Sequence, residues 1–303
     1  MAEWHMSQTE QLEALARLLR HSRHLVVLSG AGCSTESGIP DYRDLKGAWK
    51  REPPMAYQEF IGSFAARQRY WARGSIGWRR FRAVLPGRPH HVLARLEHAG
   101  RVRSIITQNV DGLHQRAGSR EVIDLHGRID AVQCLQCRGS FPRPQVQSRL
   151  DQLNPQWARL DAVMAPDGDA LLAQETCDQF QLVDCEHCGG ALKPAVVFFG
   201  EAVPAATVER AYAAMKAADA LLVVGSSLMV YSGYRFVRYA CERGIPVGIV
   251  NLGTTRADAL VPLKVEGQCG EVLEQLESSL TSTTAALVTG AGIAPQSSGL
   301  TRR

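Results

Sequence analysis

Apolar residues recur along the chain in two rhythms, and each rhythm predicts a different element. Leu12, Leu15, Ala16 and Leu19 fall at helical spacing behind Ser7-Gln8-Thr9-Glu10, a capping box, so an amphipathic helix is expected up to about Arg20. Other apolar runs are unbroken and short: 24–28, 102–107, 195–199, 220–224 and 246–250. Runs of this length with many β-branched residues predict strands buried on both faces. They close in polar or glycine-bearing turns: Ser29-Gly30, Gln108-Asn109-Val110-Asp111, Gly200-Glu201, Gly225-Ser226-Ser227 and Asn251-Leu252-Gly253. Helical stretches are expected at 207–218 and 233–243, the second stopped by Gly244 and Pro246. Strands alternating with helices predict an α/β, Rossmann-like parallel sheet whose ligand lies beyond the carboxyl ends of the strands. The polar turns then meet along one edge.

Two segments depart from this alternation. Residues 46–100 are rich in arginine and aromatic residues and look helical, while 132–190 hold prolines and little periodicity. Both are expected as insertions into a core made of 10–45, 101–131 and 191–277, within a catalytic unit of 1–280. Residues 281–303 turn to Thr, Ser, Ala and Gly and are expected to form a disordered tail. Leu287-Val288-Thr289-Gly290-Ala291-Gly292 echoes Leu28-Ser29-Gly30-Ala31-Gly32, but Pro295 blocks a following helix and too little chain remains for supporting strands.

Composition narrows the class. At 303 residues and 45% hydrophobic the chain builds a substantial core, and a net charge of +4 is too mild to imply direct nucleic-acid binding. Between 67 and 103 ten arginines face a single acid, Glu97, which reads as a solvated basic helical face. No apolar run reaches membrane-spanning length, and Glu3, Glu10 and Glu13 argue against a signal or transit segment. A cytoplasmic monomer without membrane contact is expected.

Four of the eight cysteines form two C-x-x-C pairs, Cys134 with Cys137 and Cys185 with Cys188. Four thiolates suit one tetrahedral Zn2+ and leave no open position for water, so this zinc is structural. Cys33, Cys177, Cys241 and Cys269 read as small buried hydrophobes.

The loop after the first predicted strand, Ser29-Gly30-Ala31-Gly32-Cys33-Ser34-Thr35, half-spells a dinucleotide turn, with Thr35 where a third glycine is usual. An acidic ribose ligand expected about 20 residues on is missing, so the loop can cradle a pyrophosphate while the ribose contacts come from elsewhere. Ser226, Asn251 and the 108–111 turn offer suitable hydrogen bonds. Asp124-Leu125-His126-Gly127 adds one histidine. A lone histidine is more often structural, and a general-base role for His126 rests on these neighbours.

Taken in order, Gly-Ala-Gly-x-Ser-x-x-Ser-Gly-Ile-Pro-Asp-Tyr-Arg, Thr-Gln-Asn-Val-Asp, Leu-His-Gly, the C-x-x-C pairs, Val-Val-Phe-Phe-Gly-Glu, Gly-Ser-Ser-Leu and the late Val-Asn resemble the sirtuins, NAD-dependent protein lysine deacylases. The resemblance spans about 10–277. Its class II branch looks closest, through 68–73, 165–169 and 230–236. Two positions depart from the common pattern: Ala195 replaces an Asp or Asn, and Gly-Ser-Ser replaces Gly-Thr-Ser.

What the resemblance implies is an NAD site. Gly30, Ala31 and Gly32 contact the pyrophosphate, and Asp41, Tyr42 and Arg43 close over ribose and nicotinamide. Gln108, Asn109, Val110 and Asp111 take the inner ribose and carboxamide. Gly225, Ser226, Ser227, Asn251, Leu252, Gly253 and the backbone near Cys269 hold the adenosine half. Val197 and Phe199 line the acyl-lysine channel, the substrate peptide adding as a strand between 199–203 and 228–232. His126 takes a proton from a ribose hydroxyl, which attacks an alkylimidate, giving free lysine, nicotinamide and O-acyl-ADP-ribose. Acyl-lysine proteins are the implied partners.

Tyr70 and Arg73, three apart on a predicted helix, share a face and could grip an acidic acyl group, as a similar pair does in sirtuins that remove malonyl and succinyl. The alternative is a packed Tyr70, a solvated Arg73 and larger apolar acyl groups. Two further readings stay open: mono-ADP-ribosyl transfer to protein, and a non-catalytic NAD or ADP-ribose sensor.

Overall fold

The computed structural model describes residues 6–160 and 177–289. In chain order the strands are β1 (Leu25–Ser29), β2 (Val102–Thr107), β3 (Val122–Asp124), β4 (Gly127–Cys134), β5 (Ser140–Pro142), β6 (Leu192–Val196), β7 (Ala220–Val224), β8 (Val247–Val250) and β9 (Lys264–Val265). The helices are α1 (Gln8–His21), α2 (Tyr57–Gly62), α3 (Phe64–Phe81), α4 (Arg88–His98), α5 (Leu113–Arg116), α6 (Arg143–Leu153), α7 (Ala205–Ala217), α8 (Tyr231–Glu242) and α9 (Cys269–Thr289). None is long and apolar enough to cross a membrane, among the described residues.

Six strands pair in the order β3-β2-β1-β7-β8-β9, all parallel. The strand order reverses between β1 and β7, which opens a crevice at their carboxyl ends. Every residue of β1 and β7 is buried, which explains why their sequences run apolar without alternation. Leu25 and Val27 pack with α1, α4 and α9 on one face, through Leu15, Leu93 and Leu273. Val26 and Leu28 meet α7 and α8 on the other, through Met215 and Phe236. The predicted capping box starts α1: Glu10 N donates to Ser7 Oγ at 3.3 Å and Ser7 N to the Glu10 carboxylate at 2.7 Å.

A second lobe is built from both insertions together. Its antiparallel sheet, β5-β4-β6, packs with α2, α3 and α6 in one core that joins Phe60, Trp71 and Ile76 to Val132, Phe141 and Leu192. Arg143 is fully buried in this lobe. Its guanidinium stands 4.8 Å from the Trp71 ring and 5.3 Å from Trp78 and donates to the Gly74 carbonyl at 2.9 Å, so the charge is both stacked and hydrogen-bonded.

Several expectations need correction. The run 195–199 is not a strand of the parallel sheet: β6 ends at Val196 and pairs antiparallel with β4. Within the run only Phe198 is buried, against Phe60 of α2 and Tyr70 of α3. The core therefore does not resume at 191, and α4, placed in the helical insertion by its arginines, packs instead on the parallel sheet through Val92, Leu93 and Leu96. Among the described residues three of the ten arginines form ion pairs, Arg69 with Glu59, Arg88 with Glu36 and Arg95 with Glu277. Cys241 is exposed while Cys33, Cys177 and Cys269 are buried. Helix α9 continues past Leu280 to Thr289 because no glycine or proline interrupts 271–289. The 165–169 motif and residues 290–303 lie outside the described residues.

Candidate active site

A cavity of about 990 Å³ lies between the lobes, at the carboxyl ends of β1, β2, β7 and β8. Gly30 N donates to the Val224 carbonyl at 3.0 Å and Gly32 N to the Gly225 carbonyl at 2.8 Å, so the 30–34 loop rests directly on the turn after β7. A Cβ at Gly30 would lie 2.7 Å from Ser226 Cβ. Gly225, at φ +61°, would bring one within 2.4 Å of Cys33 N. These glycines are demanded by the close approach of two loops.

The polar turns meet as expected and fix one another. Asn109 Nδ2 donates to the Gly30 carbonyl at 3.0 Å and to Ser34 Oγ at 2.9 Å. Ser34 Oγ donates in turn to Asp111 Oδ2 at 2.7 Å, and Leu113 N to Asp111 Oδ1 at 2.8 Å. Gln108 Nε2 donates to Ser226 Oγ at 2.8 Å. Asn251 Nδ2 holds the carbonyls of Leu252 and Gly253, each at 3.1 Å. Ala31, Val110, Ser227, Leu252 and Cys269 also line the cavity. Gly253 does not; its N–H is bound by Glu266 at 3.1 Å. Ser34 was missed as a site residue, although it is the serine of the Gly-Ala-Gly-x-Ser motif.

His126 stands where the β3 edge meets the second lobe. Its Nδ1 is 2.9 Å from the Gln108 carbonyl and its Nε2 is 2.7 Å from Ser232 Oγ. A carbonyl only accepts, so Nδ1 carries the proton and Nε2 accepts from the hydroxyl of Ser232, which itself lines the cavity. Ser232 is a second residue that sequence reasoning missed. Burial, above all, pulls the imidazole down to about 4, with the Arg235 charge adding to the lowering and the Gln108 bond opposing it. Desolvation thus moves the ring well below the ordinary, near-neutral histidine value. The base is active when neutral, so kcat/KM for NAD should stay level through neutral pH and fall only near pH 4 as the ring protonates. A limb near the ordinary histidine value would overturn this assignment.

Val197 and Phe199 line the same cavity, and Val197 N donates to the His126 carbonyl at 2.8 Å. Phe198, between them, turns into the second lobe against Phe60 and Tyr70. Segment 41–50 folds over the opening as a hairpin, with Lys50 N on the Tyr42 carbonyl at 2.9 Å and Lys50 paired to Asp41. Tyr42, Trp49 and Phe199 form an edge-on cluster with centroids 5.4–6.2 Å apart, and the Arg43 guanidinium lies 4.0 Å over Trp49. Across the cleft Glu201 accepts from Lys193 Nζ and from Phe198 N, both at 2.9 Å, which fixes the 198–201 turn.

Tyr70 lines the cavity; Arg73 does not. Arg73 lies by the buried Cys177, whose thiol burial pushes up and the guanidinium pulls back. The two residues predicted to share one carboxylate are thus not brought together at the cavity.

In the second lobe the four zinc candidates converge, Cys134 Sγ 3.5 Å from Cys188 Sγ and Cys137 Sγ 3.7 Å from Cys185 Sγ. A tetrahedron with Zn–S near 2.3 Å requires sulfur separations of about 3.8 Å, so the cluster fits zinc. Backbone N–H groups of Gln136 and Cys137 point at Cys134 Sγ at 3.4 and 3.5 Å, as befits a thiolate ligand.

Comparison with known proteins agrees with this geometry. A model of the Sir2 family matches residues 30–232. An NAD-dependent protein deacetylase of Bordetella bronchiseptica is 55% identical over 272 residues, 90% of this chain and 99% of that protein. The human mitochondrial NAD-dependent protein lipoamidase sirtuin-4 is 46% identical over 271 residues, 88% of this chain and 86% of that protein. A solved Sir2 complex with a p53 peptide and NAD+ superposes with a TM-score of 0.70 at 29% identity, over 88% of this chain and 97% of its own. The match in sequence extends across both lobes and the cleft between them, and the chain belongs to the Sir2 family.

Proposed function

We propose that this chain removes acyl groups from protein lysine while consuming NAD, releasing nicotinamide and O-acyl-ADP-ribose. The observation that carries this reading is His126: a fixed imidazole whose Nε2 faces the junction of a dinucleotide crevice and a channel lined by Val197 and Phe199. The cavity is large enough for a dinucleotide and an acyl-lysine side chain together.

NAD supplies a ribose carbon that becomes electron-poor when nicotinamide leaves. Gly30, Ala31 and Gly32 hold the pyrophosphate, and Asn109 and Asp111 bind the inner ribose with Ser34 fixing both. Ser226 and Asn251 hold the adenosine half. The 41–50 hairpin, anchored by its Tyr42–Trp49–Phe199 cluster, excludes water above the channel. His126 Nε2 takes a proton from a ribose hydroxyl, and the Gln108 carbonyl stabilises the imidazolium through Nδ1–H. Cys134, Cys137, Cys185 and Cys188 would hold a zinc that braces the second lobe, away from the residues lining the cavity.

With Arg73 away from the cavity and Met55, Tyr70, Phe81, Ile129 and Val196 on its lining, the channel suits uncharged acyl groups, acetyl and larger. Cytoplasmic action as a monomer on acylated proteins is part of the same proposal. The test is mass spectrometry over acetyl-, lipoyl- and succinyl-lysine peptides. O-acyl-ADP-ribose is expected in step with free lysine, fastest with the neutral groups. ADP-ribose mass on the protein substrate instead would establish transfer, and NAD turnover indifferent to peptide would refute deacylation.

A further inference from the structure

The wall of the cleft formed by 228–235 carries the guanidinium of Arg235, and a second, Arg256, lies outside the cavity lining against the same helix; neither is ion-paired among the described residues. Arg235, on the second turn of α8, lines the cavity and rests 5.4 Å over the Tyr231 ring. Its Nε is buried without a hydrogen-bond partner among the described residues, a donor costly to leave unmade. Arg256 lies 4.5 Å over Tyr234, its Nη1 3.4 Å from the Met229 carbonyl. The two tyrosine rings stand 6.5 Å apart, so the four side chains form one Arg-Tyr-Tyr-Arg strip. Neighbouring charges are already matched: Arg238 with Glu242, and across the cleft Glu201 with Lys193 and Asp41 with Lys50. An arginine stacked on a ring keeps the edge of its fork free for a planar carboxylate.

We infer that this strip recognises an acidic side chain of the substrate protein, a Glu or Asp close to the acylated lysine. The inference rests on the deacylase reading and deepens it. Tyr231 is half exposed, which puts the strip at the mouth of the cleft where the flanks of a bound peptide pass. The acyl group goes the other way, toward Ile129 and Val196, so the flank carries the carboxylate that Arg235 meets.

The experiment compares acetyl-lysine peptides bearing Glu, Gln or Lys at each neighbouring position, in kcat/KM and in binding by fluorescence anisotropy. Wild type should favour Glu over Lys by about tenfold at one position or more, less at high salt. The double variant Arg235→Met with Arg256→Met should shrink the ratio to within about twofold. Arg235→Lys should retain part of it, since it keeps charge without the fork. Arg256→Met alone, at an exposed position, should lower the ratio even if Arg235→Met folds poorly. Arg235→Met should also move the acid limb of His126 upward, because it removes a charge that holds the imidazole down. Indifference of wild type to Glu and Lys overturns the inference, as does a preference that survives the double variant or that follows a succinyl group on a neutral peptide. Peptide binding without turnover would count against deacylation while the Glu ratio still tests the strip.

Discussion

His126→Ala slows deacylation by about 10²-fold or more while NAD affinity stays within a few-fold, the scale on which a positioned general base acts. The expectation follows from how little else the ring does. It contributes two hydrogen bonds, to the Gln108 carbonyl and to Ser232 Oγ, and both partners lie beside the cavity where water can replace it. The loops that would bind NAD are held by other contacts, among them Asn109 to Gly30 and Ser34 to Asp111. Calorimetric titration with NAD and single-turnover kinetics separate binding from chemistry. Undiminished turnover would remove His126 from the mechanism, and lost NAD binding would make its role structural.

Cys134→Ser has the largest effect on stability. The thiol touches three parts of the zinc cluster at once: Cys188 Sγ at 3.5 Å and the N–H groups of Gln136 and Cys137. Removing one ligand of a closed site forfeits folding free energy coupled to the metal, and the melting temperature should fall by roughly 10 °C or more. Wild type should contain about one zinc per chain, and a strong chelator should reproduce the drop. Activity falls as well, because β6 leads directly into Val197 and the 198–201 turn. A metal-free wild type that melts as the native protein would contradict the zinc assignment.

The four central strands of the parallel sheet were legible because they announce themselves as continuous apolar runs, whereas the edge strands β3 and β9, short and only partly buried, were not. The polar turns were legible for the same reason, since they mark where those runs stop. What could not be read was partnership. Run 195–199 has the composition of a core strand, yet only its first two residues lie in a strand, β6, which pairs with β4, and periodicity carries no record of which strand lies alongside. The arginines of α4 suggested an insertion, while three apolar residues on its other face dock it to the sheet. Ser34 and Ser232 act through neighbours distant in sequence, Asp111 and His126, and a serine alone gives no sign of this. Tyr70 and Arg73 show the converse: helical spacing placed them three apart but could not tell that only Tyr70 would reach the cavity, Arg73 lying by Cys177 instead.

The shared core of the second lobe constrains how such chains can diverge. Trp71 donates through Nε1 to the Leu192 carbonyl at 3.1 Å, and Arg143 lies between Trp71 and Trp78, so each stretch supplies the partner the other lacks. A graft of the cysteine-bearing stretch from a distant homologue would leave α2 and α3 facing a foreign surface. Exchange of both stretches together would preserve the interlock. The two behave as one unit of inheritance, although β2 and β3 of the other lobe are encoded between them.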